Sequence, residues 1–254
     1  MSVTSSDIIV YGSANMPEAD GTTSGGAIDL TTKIIFTDIV VTDTVDIYGE
    51  AGDGETVTVW GRDAAGSIVS EQETLDGTTP QTTTQTFERI LKVVVSDATH
   101  GTINIERSTG STAIATIETG FDELRRPFYG AAAEASSGSA IDLYEKIFIK
   151  NTHGSLALLN MEIDETADPG TSDILFDIED AIDDNNSVAD RKDTAPTGMA
   201  GSFSSSAKLL STITSGATDL AAGEAIGVWL KLPLAAGQAA AKTTYTLTVT
   251  GSST

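Results

Sequence analysis

Thr243-Thr244-Tyr245-Thr246-Leu247-Thr248-Val249-Thr250 places Tyr245, Leu247 and Val249 on one face of an extended chain and a row of threonines on the other. A period of two marks a half-buried β-strand, and the branched Cβ of threonine suits its solvated side. Residues 225–232 repeat the pattern, with Ile226, Val228, Leu230 and Leu232 as the inward set and Trp229 and Lys231 opposite. Further out, residues 56–60 alternate through Val57 and Val59. Gly61-Arg62-Asp63-Ala64-Ala65-Gly66 then supplies turn residues before extended chain resumes at 67–70, which predicts a hairpin. Residues 87–95 and 102–106 flank a second turn at 96–101. Helix signals are few: residues 177–183 allow a short helix and 206–211 a turn, and neither sustains a period of 3.6. The pattern predicts an all-β protein.

An internal repeat divides the chain. Gly26-Ala27-Ile28-Asp29-Leu30-Thr31-Thr32-Lys33-Ile34 returns as Ser139-Ala140-Ile141-Asp142-Leu143-Tyr144-Glu145-Lys146-Ile147, 113 positions later (140 − 27). Tyr11-Gly12-Ser13-Ala14 returns as Tyr129-Gly130-Ala131-Ala132, 118 positions later (129 − 11). A loop that changes length between conserved strand patterns is what a surface connection tolerates. Two related, tandem antiparallel β-sandwich domains of immunoglobulin-like or jelly-roll-like type are the simplest account. The expected division is 1–122, a linker at 123–127 where Pro127 stops any helix, and 128–254 with an acidic excursion at 164–196.

The charge narrows the function. Thirty-seven acidic against 14 basic side chains give −23, so neither nucleic acid nor an anionic membrane surface is an expected partner. With no cysteine, disulfides, thiol nucleophiles and thiolate metal sites are excluded. No secretory signal is visible at the start and no apolar run reaches the roughly 20 residues of a membrane helix, so synthesis in the cytoplasm is expected.

No serine sits in a G-x-S-x-G elbow, and the two histidines, His100 and His153, both lie in Thr-His-Gly turns. The chain is therefore expected not to be an enzyme. No cofactor is expected, although the oxygen-rich cluster of Asp173, Asp177, Glu179, Asp180, Asp183, Asp184 and Asn185 would suit calcium. Asp177, Asp180, Asp183 and Asp184 are its central candidates, without the residue order of an EF-hand. Four residues are expected at protein interfaces: Trp60 and Trp229, on strand faces opposite the core set, and the basic doublet Arg125-Arg126.

Several stretches resemble bacteriophage virion proteins. In the first half they are residues 57–71 (Val57-Thr58-Val59-Trp60-Gly61 onward), Leu75-Asp76-Gly77-Thr78-Thr79-Pro80 and Thr86-Phe87-Glu88-Arg89-Ile90. In the second half they are Arg126-Pro127-Phe128-Tyr129, residues 144–151 and residues 223–230. The resemblance implies a structural protein of β-sandwich modules, of the head decoration, cement or tail-associated type, with no catalytic residues. It implies location in the virion and partners among the major capsid protein or other virion subunits; further copies of the chain are expected as partners because bare sheet edges need a partner or a cover. A tail- or fibre-associated adhesion module that binds glycans is the alternative, for which exposed Trp60 or Trp229 beside an acidic calcium loop would speak.

Overall fold

Where the sequence alternates most cleanly, the structure forms a tight hairpin. In this computed structural model, which describes residues 2–19, 21–129, 139–167, 174–192, 194–237 and 244–253, residues 56–62 pair antiparallel with 68–74. Asp63 makes the turn: its Oδ1 accepts the backbone N–H groups of Ala65 and Ser67, both at 2.9 Å, while Gly66 takes φ +83°. A side-chain acceptor and a glycine in the left-handed region are what so short a reversal needs.

Strands make up the regular structure, and the described residues contain no α-helix. In chain order they are β1 (Ile8–Asn15), β2 (Ser24–Lys33), β3 (Val45–Tyr48), β4 (Thr56–Arg62), β5 (Ile68–Thr74), β6 (Gln81–Thr82), β7 (Arg89–Val95), β8 (Ile103–Arg107), β9 (Thr112–Ile117) and β10 (Glu123–Arg125). There follow β11 (Ile141–Asn151), β12 (Leu159–Ala167), β13 (Leu175–Ile182), β14 (Ser187–Val188), β15 (Lys208–Leu209), β16 (Ala225–Leu234) and β17 (Thr246–Ser252). Residues 177–182, where a short helix was allowed, belong to strand β13, because the edge of β16 offers a ladder of hydrogen bonds to that segment. The turn allowed at 206–211 is in part a single 3₁₀ turn, Leu210–Thr212.

The chain folds as two compact units that are nested, not successive. One is split in sequence, Met1–Asp29 with Gly130–Thr254; the other, Leu30–Tyr129, is inserted between its two parts. The expected division at 122 therefore changes. Residues 8–12 of β1 pair antiparallel with residues 147–151 of β11, which ties the N-terminal segment to the second half. Residues 123–125 are not a linker: β10 lies between Thr32-Lys33 of β2, which it meets in parallel, and β7. Both copies of the Ala-Ile-Asp-Leu repeat fall on strands, β2 and β11.

In the inserted unit, β10-β7-β4-β5 form one sheet and β6-β3-β8-β9 another. Val57 and Val59, Val93 and Val95, Val45 and Ile47, and Ile103 and Ile105 are all buried, two positions apart on each strand as the alternation requires, while β7 also buries the consecutive Ile90 and Leu91. Strands β7 and β8 flank the expected turn at 96–101 but enter different sheets. Gly61 lets the sheet close on its cover: a Cβ there would stand 2.4 Å from the Phe87 ring and 2.6 Å from the Arg89 carbonyl oxygen.

In the split unit the order is β13-β16-β11-β1-β2, with β14 on β2, beside a smaller sheet β15-β12-β17. Here alternation fails. From Leu143 to Ile149 every residue of β11 is buried, as is every residue of β16 from Ala225 to Leu230. Strands covered on both faces are ordinarily apolar throughout, yet β11 carries Glu145 and Lys146 into this setting, both fully buried.

Candidate functional site

The acidic cluster of β13 disperses. Asp177 is buried; it accepts the Ile178 N–H at 3.0 Å and the Gly201 N–H at 3.2 Å, and pairs with Lys208 Nζ at 3.3 Å. Asp180 accepts the N–H of Thr214 at 2.6 Å and that residue's hydroxyl. Asp183, at φ +54°, accepts the Ala225 N–H, and Asp184 accepts that of Asn186. Successive side chains of a strand point to opposite faces, so neighbouring carboxylates here find separate partners. Among the described residues no three His, Asp or Glu side chains gather where they could hold a metal ion. Asp173 lies outside the described residues.

The cluster's remaining carboxylate leads to a different arrangement, on β11, β13 and β16 of the split unit. Glu179 Oε1 lies 2.7 Å from Lys146 Nζ and accepts the indole N–H of Trp229 at 3.1 Å; all three side chains are fully buried. The Lys146 ammonium also donates to the carbonyls of Gly26 at 3.1 Å, Asp184 at 2.9 Å and Asn186 at 3.3 Å, and stands 4.5 Å from the Phe148 ring centroid. One side chain thus fastens a turn of residues 184–186 and the start of β2 to the sheet. Glycine makes the room: a Cβ at Gly227 would stand 2.3 Å from Glu179 Oε2, and one at Gly25 2.6 Å from the Trp229 ring.

Burial pushes the Glu179 carboxyl up to about 7, against the pull of Lys146 and the indole N–H. Burial likewise pushes Lys146 down. Because the folded value of Glu179 stands above its unfolded value of about 4.3, folding takes up a proton between the two. The stability that this carries is complete below the unfolded value and is lost as pH rises through about 7. Chemical unfolding should accordingly show a higher stability at about pH 5 than at about pH 8, by up to about 3 kcal/mol. Glu179→Gln should flatten that slope; equal slopes in the wild type and the variant would show that this carboxyl does not titrate.

A second buried pair lies one residue away. Glu145 Oε1 and Arg191 Nη1 are 3.4 Å apart and fully buried, and the same nitrogen donates to the Pro17 carbonyl. The backbone of Arg191 bonds to Thr22 and to Tyr144, both at 2.9 Å. These groups are structural ties, closed to solvent.

The interface candidates separate. Trp229, expected on a solvated face, is instead fully buried, because Val188, Met199 and Phe203 fold over the face it shares with Tyr144. Trp60 on β4 is partly buried, with Lys92 Nζ 5.4 Å from its ring centroid. Arg125, on β10, is buried; it pairs with Glu123 at 3.2 Å and lies over the Tyr129 ring. Arg126 donates to the Ile90 carbonyl at 2.8 Å, pairs with Asp38 at 2.6 Å and stacks near Phe36. Burial and neighbouring Arg89 lower the Arg126 guanidinium to about 10.

Arg126 leads to a surface that sequence reasoning missed, the irregular connection from β2 to β3 in the inserted unit. Ile39 is buried there as an anchor, Asp38 is clamped between Arg126 and Arg89, and the Thr37 N–H bonds to the Ile114 carbonyl at 3.0 Å. From that fixed base Ile35, Val40 and Val41 stand out at 53%, 75% and 60% exposure. The run Ile34-Ile35-Phe36 and Ile39-Val40-Val41 has the composition of a core strand, so the sequence gives no sign that it faces water. Apolar side chains left in water beside a buried anchor are what a docking contact uses. No known protein family, curated protein or solved structure matches the chain.

Proposed function

We propose that this chain is a non-enzymatic structural protein of a tailed-phage particle, a decoration or cement protein on the capsid exterior that bridges neighbouring capsid subunits. The observation that carries the reading is the clamped loop at 35–41, which presents three branched aliphatic side chains to solvent on a fixed base. The side chains of Lys146, Glu179, Glu145 and Arg191 are sealed inside the split unit and serve to hold loops, which suits a load-bearing scaffold. A charge of −23 discourages contact with packaged DNA and suits an outer surface. The resemblance of residues 57–71 and 144–151 to virion proteins points the same way. The glycan-binding alternative loses one of its two aromatic platforms, since Trp229 is buried.

Particles purified from the host that encodes the chain, disrupted gently and resolved by electron cryomicroscopy, test the proposal. The expected result is density for the chain on the outer capsid surface, with the 35–41 loop against a capsid subunit. Its absence from particles, or its location in a tail tube or receptor-binding fibre, would overturn the decoration role.

A further inference from the structure

Strands β11 and β13 are not neighbours in the sheet, because β16 runs between them. Lys146 and Glu179 nevertheless meet, reaching over the backbone of β16 at Gly227, where a Cβ would stand 2.7 Å from Lys146 Cε and 2.3 Å from Glu179 Oε2. Phe148 and Trp229 line the contact, their ring centroids 4.5 and 5.9 Å from Lys146 Nζ. An amine nitrogen and a carboxyl oxygen are thus held 2.7 Å apart, on side chains that are both fully buried.

The two oxygens of that carboxyl are held unequally. Oε1 accepts the indole N–H of Trp229 at 3.1 Å, whereas Oε2 is buried and has no hydrogen-bond partner among the described residues. A buried acceptor without a donor is costly. We propose that the Lys146 amine condenses with the Glu179 carboxyl to form an amide, a cross-link from β11 to β13 over the glycine of β16. The ammonium first passes one proton to the carboxylate, which leaves a neutral amine and a neutral acid. Burial favours that exchange, since it raises the Glu179 carboxyl to about 7 and lowers Lys146. The nitrogen lone pair then bonds to Cδ, and the indole N–H steadies the charge that gathers on Oε1. A second proton moves from the nitrogen to Oε2, the Cδ–Oε2 bond breaks, and Oε2 departs as water with both protons. Nothing is oxidised or reduced. Oε1 stays as the amide oxygen on the indole. Holding the reactants together turns a bimolecular condensation into a unimolecular one, and the product removes two charges from a site shut off from water. The pH-dependent stability of the Glu179–Lys146 pair belongs to the chain before condensation; once linked, neither group titrates. The cross-link does not depend on where the chain docks.

The intact mass of the full folded chain, followed over days at neutral pH and mapped by tryptic digestion, tests it. The mass is expected to fall below that of the sequence by one water. Trypsin does not cut after an acylated lysine, so it should release residues 126–150 joined to residues 151–191. A chain held unfolded in urea, and the Lys146→Met variant, should both keep the full mass. Trp229→Phe, which leaves an aromatic ring in the site but no indole N–H, should link more slowly than the wild type. A folded wild-type chain that keeps its full mass overturns the proposal. So does a water lost elsewhere, as in a succinimide at Asp76-Gly77, with residues 126–146 and 151–191 released separately.

Discussion

Lys146→Met is expected to cost about 3–5 kcal/mol at alkaline pH, the range for breaking a buried pair by removing one partner. The substitution keeps the aliphatic stem, so the loss is chemical: Glu179 keeps only the indole N–H at Oε1, and the carbonyls of Gly26, Asp184 and Asn186 lose a shared donor. The cost should shrink as pH falls toward about 7, because without the ammonium that pulls it down the buried carboxyl, already raised that far, takes its proton at a still higher pH and sheds its charge. A double variant, Lys146→Met with Glu179→Met, should recover part of the loss, since well-packed apolar groups often replace a buried pair at little cost. Denaturant unfolding at two pH values reads all three. A Lys146→Met protein within about 1 kcal/mol of wild type would show that the ammonium is not the tie described.

Trp229→Ala should destabilise by about 3–5 kcal/mol, the range for emptying a large buried aromatic site. Tyr144, Val188, Met199 and Phe203 would line the space, and Glu179 would lose its indole donor. Trp60→Ala, at a partly buried position on β4, should cost markedly less, under about 2 kcal/mol. The pair of measurements separates the two tryptophans, which the strand pattern treated alike. Equal losses at the two sites would contradict the burial described for Trp229.

Those two tryptophans show how far alternation can be read. At β4 and β5 one sheet face is covered and the other is partly open, so side chains of period two report burial correctly and the Asp63–Gly66 turn fixes the hairpin. At β16 the same period reports only which side chains share a face. Val188, Met199 and Phe203 arrive from a distant segment and cover the second face, and nothing within residues 225–232 records them. Lys146 illustrates the same limit. A charged pair inside the apolar run 144–149 is visible, but its partner Glu179 lies 33 positions away (179 − 146) among carboxylates that read as a metal-binding loop.

The nesting of the units was hidden for a related reason. The repeat at 27–30 and 140–143 suggested successive domains, yet backbone pairing between residues 8–12 and 147–151 joins the chain's start to its second half. Strand pairing depends on which edges meet, and two strands of like pattern are interchangeable until the whole sheet assembles.

By itself the sequence determined the all-β class, the 56–74 hairpin, the lack of cysteine and a net charge of −23, because local propensity, turn chemistry and charge are properties of the residues themselves. Tertiary structure alone decided that residues 1–29 join 130–254, that Trp229 is inside, that the acidic run is dispersed and that Val40 and Val41 face water. Burial is a relation between distant segments, and the free energy of an apolar or charged side chain is set by what covers it.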